Sequence, residues 1–338
     1  MDPLIILFAA AVSITFLSTT LILRKLIPVL KSKKMGQKIL EIGPRWHKSK
    51  EGTPTMGGLS FIFASAVVGI FGSIFIGIRY GSKVSLPFVL TLALGLAGGV
   101  IGCIDDSAKL RKKQNEGLTA IQKYVLQFIV AALYLIGMTF ICGDFSSDIY
   151  FPFFGATVNA GPLYYVISML LLTGIINGVN LTDGIDGLCS SVTLVIGIFF
   201  AIAGSGLTGL MNDPGLVLLG ALLIGGCGGF LVYNFYPARV FMGDTGSLFL
   251  GGLVVGGTFM MKNPLIVLLI GLIYVIEAFS VILQVGYFKL THGKRLFKMS
   301  PIHHHFEKCG WSEIKIVAVF SAVTVIACTI ALLWGMRM

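Results

Sequence analysis

Eleven residues, Asn177–Gly187, carry the side chains best suited to chemistry, with the sequence N-G-V-N-L-T-D-G-I-D-G. They follow Pro162–Ile176, an apolar stretch typical of a membrane-spanning helix. Asp183 and Asp186 are therefore predicted at or just inside the edge of a bilayer, where an ionised Asp in a helix costs about 2.5–3.5 kcal/mol. A polar turn that merely ends a helix would explain the glycines and one Asp. The whole set favours a binding site.

The spacing within this stretch supports a shared role. Asn180, Asp183 and Asp186 recur at every third position, so a continuous helix would spread them over an arc of about 120°. The glycines at positions 178, 184 and 187 weaken a helix and allow close approach of the backbone, as a bound ligand requires.

The composition says what kind of element must position these residues. Hydrophobic residues make up 56% of the 338 residues, charged residues 12%, and the mean hydropathy is +0.92. A soluble domain is excluded, and long apolar runs without alternation exclude a β-barrel. The chain is predicted to be an all-α, polytopic membrane protein. The first apolar run, 4–23, has no basic segment before it and no small-residue cleavage site after it, and is interpreted as a retained helix.

Ten membrane spans are predicted within a single integral-membrane domain, 1–338. They are 3–23, 56–78, 86–104, 120–141, 162–179, 187–204, 215–232, 246–261, 264–289 and 312–336. The active site is expected on the loops at one membrane face, namely 24–55, 105–119, 177–187, 233–246 and 290–311.

The basic residues predict the orientation. Of the 25 Lys and Arg, 21 fall in the odd-numbered loops or at the span ends beside them, and the other side has Arg79, Lys83, Lys262 and Arg337 only. By the positive-inside rule these loops face the cytoplasm and both termini lie on the periplasmic or extracellular side. The basic residues behind the net charge of +10 are thereby explained, because they orient the protein in the membrane and attract anionic lipid headgroups. No nucleic-acid partner is expected.

Carboxylates from three separate loops are predicted to meet at this face. Asp105 and Asp106 close the third span, and Asp244 lies in F-M-G-D-T-G-S at the start of the eighth. With Asp183 and Asp186 they form a set of oxygen ligands suited to a hard cation. Mg²⁺ takes one or two carboxylates and completes its shell with water and substrate phosphate.

Groups suited to phosphate accompany the acids. Lys50 and Thr55 lie in K-E-G-T-P-T-M-G-G at the start of the second span, and a basic run that ends at Lys113 follows the Asp pair. The segment P-I-H-H-H-F-E carries His303, His304 and His305. Neighbouring side chains point in different directions, so one zinc ion cannot use all three, and a role as hydrogen-bond donors or as groups that orient the ligand-binding residues is favoured. For Glu277, near the middle of the ninth span, two roles stay open: it lines a groove, or it is a structural residue that faces the helix bundle.

Five motifs together resemble bacterial phospho-N-acetylmuramoyl-pentapeptide transferases, a branch of the polyprenyl-phosphate N-acetylhexosamine-1-phosphate transferases. They are G-T-P-T-M-G-G (52–58), the Asp pair (105–106), N-L-T-D-G-I-D-G (180–187), N-F-Y-P-A-R-V-F-M-G-D-T-G-S (234–247) and P-I-H-H-H-F-E (301–307). The histidine motif is similar to the muramoyl-pentapeptide branch rather than to the N-acetylglucosamine branch. The resemblance covers essentially the whole chain.

The resemblance implies transfer of phospho-MurNAc-pentapeptide from UDP-MurNAc-pentapeptide to undecaprenyl phosphate, giving lipid I and UMP with Mg²⁺. It implies a multi-pass protein of the bacterial cytoplasmic membrane, a site facing the cytoplasm, and a homodimer. Phosphoryl transfer between two anions chiefly needs positioning and charge neutralisation.

The resemblance also implies roles for individual residues. Asp244 would hold Mg²⁺, with Asp105 and Asp106 nearby. Asp105 is the expected base that deprotonates the lipid phosphate, and a covalent aspartyl-phosphate is the alternative. Uridine, sugar and phosphates would be bound by Lys50, Thr55, Lys113, Asn180, Asp183, Asp186, Phe241, His303, His304 and His305.

Two other functions stay open from the sequence. One is the same chemistry on UDP-N-acetylglucosamine. The other is an ion-coupled transporter, because intramembrane acids and Gly-broken helices also mark transporter sites. Transporter sites lie near the membrane midplane between repeated halves, whereas the acids of this chain gather at one face and no internal repeat is visible.

Overall fold

The computed structural model describes residues 2–32, 50–112, 117–143, 147–151 and 156–335, and most of the described chain is helical. The helices are α1 (Pro3–Ser32), α2 (Leu59–Tyr80), α3 (Ser82–Lys112), α4 (Ala120–Phe140), α5 (Pro162–Thr182), α6 (Leu188–Gly204), α7 (Pro214–Asn234), α8 (Gly243–Met260), α9 (Val267–Ile270), α10 (Leu272–Leu290), α11 (Ile302–Lys308) and α12 (Glu313–Gly335).

Eight of these helices are long and apolar enough to cross a membrane: α1, α2, α3, α4, α5, α7, α10 and α12. The multi-pass architecture is thereby confirmed in its coarse form, whereas the predicted number of ten spans is not. The helix α6 is apolar but has only 17 residues. The helix α8 has 18 residues, among them Asp244 and many glycines, which lower its hydropathy.

Several predicted boundaries were wrong. The helix α1 continues to Ser32 and α3 to Lys112, so Asp105 and Asp106 lie inside a helix and do not follow one. The predicted span 264–289 is divided into a 3₁₀ turn (Pro264–Ile266), α9 and α10, with the break at Gly271. Proline at the first helical position and glycine between two helical segments both favour such an interruption.

The chain is not purely α-helical, because a two-stranded hairpin joins α4 to α5. Strand β1 (Asp148–Phe151) pairs antiparallel with β2 (Ala156–Asn159), and Asp148 lies opposite Asn159. The Asn159 amide donates to the Asp148 carboxylate at 2.7 Å, which fixes this register at the ends of the strands.

The helices α7 and α8 form the centre of the described bundle. Most of α7 is buried, whereas few residues of α1 and α10 are buried, as expected of helices that face lipid. The helix α8 packs closely on α3, because glycines on α3 let the two backbones approach. A Cβ at Gly98 would lie 2.6 Å from the carbonyl oxygen of Leu248, and one at Gly102 would overlap the backbone of Asp244. Small residues at helix contacts do this in membrane proteins generally.

Candidate active site

Three carboxylates from two helices form one cluster. Asp105 and Asp106 lie on the last turns of α3, and Asp244 lies in the first turn of α8. One oxygen from each lies within 4.8 Å of the other two. The close contact of α3 with α8 at Gly102 is what brings these residues together. The cluster is of the size and chemistry that a divalent cation with oxygen ligands requires.

Two lysines neutralise much of this negative charge. The ammonium of Lys109 lies 2.7 Å from Asp105 Oδ2, 2.8 Å from Asp244 Oδ2 and 3.8 Å from Asp106 Oδ1. Lys123, in the first turn of α4, lies 2.9 Å from the same oxygen of Asp244. Lys109 belongs to the basic run that was predicted to bind phosphate, and the structure places its ammonium group among the three acids.

The paired aspartates are held in different ways. Asp106 is buried, and its Oδ2 accepts hydrogen bonds from the backbone N–H of Thr245 at 2.9 Å and from the Thr245 hydroxyl at 2.8 Å. Asp105 Oδ1 accepts from the backbone N–H of Leu118 at 2.7 Å. Each aspartate therefore keeps one oxygen bound to the scaffold and turns the other towards the cluster.

The backbone at the start of α8 depends on one glycine. Gly243 has a φ of +73°, a region that residues with a side chain rarely adopt. A Cβ at this position would lie 2.5 Å from Asp106 Oδ2 and 2.8 Å from the Thr55 hydroxyl. Only glycine allows α3, α8 and the segment containing Thr55 to meet here.

The stretch Asn177–Gly187 is not one continuous helix. The helix α5 ends at Thr182, and residues 183–187 form turns that lead into α6. The predicted helical arc was therefore wrong beyond Asn180, because the glycines at 184 and 187 end the helix there. Gly187 adopts a φ of +78° at the start of α6.

The two aspartates of this turn differ in their surroundings. The Asp183 carboxylate makes no hydrogen bond within the described part of the chain. Burial raises its pKa well above the ordinary value, and the charges of Asp244, Asp106 and Asp186 raise it further. Asp186 is buried, and its two oxygens accept from Lys50 Nζ at 2.7 Å and from the backbone N–H of Ala238 at 2.8 Å. Asp183 is thus free to meet a ligand, while Asp186 joins segments of the site.

Glu313 completes a second polar cluster around Lys50. Its Oε2 lies 2.6 Å from Lys50 Nζ and accepts a hydrogen bond from the backbone N–H of Asp186 at 2.9 Å. Lys50 is therefore held between two carboxylates, one from the turn after α5 and one from the first turn of α12. This arrangement ties the segment before α2 to two distant parts of the chain.

Asn180 connects α5 to the acidic cluster. Its amide donates to Asp244 Oδ1 and to the Ser247 hydroxyl, both at 2.8 Å, and its carbonyl oxygen accepts from Lys123 at 3.2 Å. One turn deeper, the side-chain amides of Gln127 and Asn177 bond to each other at 2.6 and 3.3 Å. These polar pairs fix α4 against α5, so that Lys123 and Asn180 reach the same aspartate.

Phe241 is fixed through its backbone. Its N–H donates to the Pro54 carbonyl at 2.8 Å, and its carbonyl accepts from the N–H of Gly57 at 2.9 Å. These bonds join the segment before α2 to the segment before α8, with Thr55 between them. The partly exposed Phe241 ring is therefore presented by two loops together.

The three histidines point to three different partners, as expected for neighbouring residues. His303 is fully buried, with Nδ1 lying 3.1 Å from Glu277 Oε2. His304 Nδ1 lies 2.6 Å from Glu307 Oε2. His305 Nδ1 accepts from the backbone N–H of Lys298 at 3.1 Å. Lys113, the remaining predicted residue, lies outside the described residues.

Comparison with known proteins shows what this chain is similar to. The model of glycosyl transferase family 4 matches residues 87–262. A phospho-N-acetylmuramoyl-pentapeptide-transferase of Clostridium novyi (strain NT) is 47% identical over 314 residues, which cover 93% of this chain and 92% of the relative. Those of Clostridioides difficile (strain 630) and Caldicellulosiruptor bescii are each 42% identical, with 95% of both chains covered. The chain belongs to the phospho-N-acetylmuramoyl-pentapeptide-transferase family.

Family membership confirms the resemblance seen in the motifs. The match to glycosyl transferase family 4 contains Asp105, Asp106 and Asp244, but neither Lys50 nor the histidine motif. The similarity to the C. novyi transferase is longer, and a stretch of 314 residues in a chain of 338 necessarily includes both. The muramoyl-pentapeptide family is therefore assigned on the whole site rather than on the acidic cluster alone.

Three polar residues of this site were not predicted from the sequence. They are Lys123, Ser247 and Glu313. Lys123 is the only charged residue of α4 and was counted as a topology signal alone. A single charge in the first turn of an apolar helix was the available clue. Glu313 begins α12, where an acid is ordinary because it interacts favourably with the helix dipole. Ser247 carried no signal that distinguishes it from a packing residue.

Proposed function

We propose that this protein transfers phospho-MurNAc-pentapeptide from UDP-MurNAc-pentapeptide to undecaprenyl phosphate, giving lipid I and UMP, the first membrane step of peptidoglycan synthesis. The observation that carries the proposal is the similarity to phospho-N-acetylmuramoyl-pentapeptide-transferases over more than nine-tenths of the chain. The acidic cluster between α3 and α8 supports it, since both substrates carry phosphates.

The reaction exchanges one phosphoanhydride bond for another. An oxygen of the lipid phosphate attacks the β-phosphorus of the sugar nucleotide and forms a new P–O–P linkage, while the bond to the α-phosphate breaks and UMP leaves. Such transfers depend mainly on alignment and on compensation of negative charge. Lys109 and Lys123, with ammonium groups 2.8 and 2.9 Å from Asp244, supply positive charge that can turn to the phosphates.

The cofactor that we infer is Mg²⁺, with Asp244, Asp105 and Asp106 as its ligands. Three carboxylates whose oxygens lie within 4.8 Å fit a hard divalent cation, and substrate phosphate and water would fill the other positions. A bound Mg²⁺ would withdraw charge from the pyrophosphate. Asp105, which keeps one oxygen free of the scaffold, is assigned as the base for the lipid phosphate. The alternative is attack by an aspartate and a covalent intermediate.

The remaining site residues are assigned to the sugar nucleotide. Asp183 has a carboxylate free of hydrogen bonds to the described residues and is assigned a direct contact. Asn180, which contacts Asp244, and Thr55 and Phe241, which lie where the segments before α2 and α8 meet, are assigned to the same substrate. Lys50 and Asp186 contact each other at 2.7 Å, so they act as one unit. Lys113 and the three histidines keep the roles that the family resemblance implies, with His304 as the histidine that faces substrate.

We infer that the protein lies in the bacterial cytoplasmic membrane with this site facing the cytoplasm. Counting α6 and α8 as crossing segments gives ten spans and places both termini on the outer side. The excess of Lys and Arg on one set of loops supports this orientation. A homodimer is part of the proposal on grounds of family resemblance.

UMP release tests the proposal. Purified protein in nanodiscs is given Mg²⁺, undecaprenyl phosphate and either UDP-MurNAc-pentapeptide or UDP-N-acetylglucosamine. We expect UMP and lipid I with the muramoyl donor only, and loss of both on addition of EDTA. Release with only the glucosamine donor would assign the protein to the sister reaction. Release with neither donor would overturn the proposed function, and unchanged release in EDTA would overturn the role of the metal.

A further inference from the structure

Glu277 and His303 form a buried pair, and Glu277 has no role in the proposed reaction. Glu277 lies on α10 and His303 on α11, both side chains have 0% exposure, and Nδ1 lies 3.1 Å from Oε2. The contact is short but poorly aligned, so none of the two carboxylate oxygens and two ring nitrogens counts as hydrogen-bonded within the described chain. A buried carboxylate without compensation is costly. The contact between Nδ1 and Oε2 brings each of these two groups a polar neighbour.

The opposite edge of the His303 ring lies against the turn that carries Asp183 and Asp186. A Cβ at Gly184, between these aspartates, would overlap Nε2 of His303. The imidazole therefore occupies the space that a side chain at this position would take. Rotation of the His303 ring would therefore change the space available to the turn at Gly184.

The pair is also in contact with His304, the histidine to which the proposed function assigns a substrate contact. The rings of His303 and His304 have centroids 4.1 Å apart. His304 keeps a side-chain exposure of 14%, and its Nδ1 is held by Glu307. The orientation of the buried ring therefore limits the orientation of the accessible one.

The other end of the pair is anchored to the bundle. The helix α10 crosses α5 so closely at Gly178 that a Cβ there would lie 2.7 Å from the carbonyl oxygen of Tyr274. The Tyr274 hydroxyl lies 2.7 Å from that of Thr193 on α6. Glu277 is one helical turn beyond Tyr274, so its position relative to the turn after α5 is fixed.

We propose that Glu277 is a positioning residue, which holds the His303 imidazole in one orientation and thereby fixes the Asp183–Asp186 turn and the His304 ring for the sugar nucleotide. It acts through His303, because its own carboxylate is fully buried. The kinetic test of this proposal rests on the proposed function. The spectroscopic test depends only on the buried pair itself.

Kinetics of the Glu277→Gln variant in nanodiscs test the positioning role. We expect the KM for UDP-MurNAc-pentapeptide to rise about tenfold, the effect of one hydrogen bond to a charged group. The KM for undecaprenyl phosphate and the melting temperature should stay near those of the wild type. His303→Asn, which keeps a donor near the position of Nδ1, should be milder than His303→Leu. Unchanged donor KM in Glu277→Gln, or an equal loss for both substrates, would overturn the proposal.

A matched control and a spectroscopic measurement separate this proposal from the proposed function. Asp213→Asn removes an acid that caps α7 about 30 Å of helix away from the site, and should leave the donor KM unchanged. The ¹⁵N spectra of labelled histidines should show a changed His303 signal, identified from its absence in His303→Asn, in Glu277→Gln but not in Asp213→Asn. An unchanged His303 signal would overturn the pairing even if the wild type released no UMP with any donor.

Discussion

At the scale of single residues, Thr245 shows how the acidic cluster is prepared. Its hydroxyl and N–H both bond to Asp106 Oδ2. Thr245→Val removes the hydroxyl alone, and we expect UMP release to slow about tenfold, since a hydrogen bond to a charged group is worth about 1.5–3 kcal/mol. Thr258→Val is the matched control, because Thr258 is equally buried on α8 and bonds to the carbonyl of Val255. Equal loss in both variants would mean that the effect is one of folding.

Glu313 gives a second prediction at this scale. Glu313→Gln removes one of the two charges that hold Lys50, so the lysine should be less well fixed and the KM for the nucleotide donor should rise several-fold. The change should depend on Lys50. A double-mutant cycle with Lys50→Met is expected to show strong non-additivity. Additive effects would show that Glu313 acts elsewhere.

Asp183 and Asp186 should respond oppositely to the same substitution. The pKa of Asp183 is raised from its ordinary value of 3.8, so ionisation of this group costs stability in the folded state, and the cost grows as pH rises above 3.8. Asp183→Asn should therefore raise the melting temperature, more at neutral than at acid pH, while impairing activity. Asp186→Asn should lower it, because Lys50 and Ala238 lose a charged acceptor. A stabilised Asp186→Asn variant would contradict this.

At the scale of elements, the approach of α3 to the start of α8 depends on Gly243. Gly243→Ala should abolish measurable UMP release, because the new methyl group would overlap Asp106 and displace α8. Gly209→Ala is the matched control. Its φ of +72° is nearly that of Gly243, at +73°, but nothing lies within 4 Å of its added Cβ. Both variants have a backbone strain of about 1 kcal/mol, but only in Gly243→Ala does the new methyl group collide with Asp106.

Element boundaries were the part that sequence could not supply. The hydropathy of α3 falls at Asp105, so the predicted span ended there, yet the helix continues to Lys112. Ion pairs of Lys109 with Asp105 and Asp106, one turn back, compensate the charges within the helix. The break at Gly271 was missed for the opposite reason, since the residues on both sides are apolar and hydropathy does not change there.

At the scale of the whole molecule, the meeting of distant acids was predictable because the membrane fixes the depth at which each loop lies. Loops on the same face share one level, so Asp106 and Asp244 had to lie near one plane. Which groups touch within that plane was not predictable. It depends on glycine contacts such as Gly102 with the backbone of Asp244, and a sequence shows a small residue without showing its partner. The same limit left Glu277 unassigned.

The proposed orientation yields the last prediction, which concerns opposite faces of the bundle. Thr157 lies on the hairpin between α4 and α5, and Lys294 lies in the loop after α10. Both are exposed. The loop of Lys294 carries many basic residues, whereas the positive-inside rule assigns the hairpin to the outer face. In a variant without the six native cysteines, Thr157→Cys should react with an impermeant maleimide in intact cells.

The companion variant decides the outcome. Lys294→Cys should react with the same reagent only after the membrane is opened, because its loop and the acidic cluster are assigned to the cytoplasmic face. The exposed native Cys309, in the turn after α11, provides an internal check, since restoring it alone should reproduce the Lys294→Cys pattern. If Lys294→Cys were labelled in intact cells as Thr157→Cys is, the loop after α10 would lie on the outer face. The site would then be out of reach of a sugar nucleotide that comes from the cytoplasm. The proposed orientation would then have to be abandoned, although the geometry of the acidic cluster would stand.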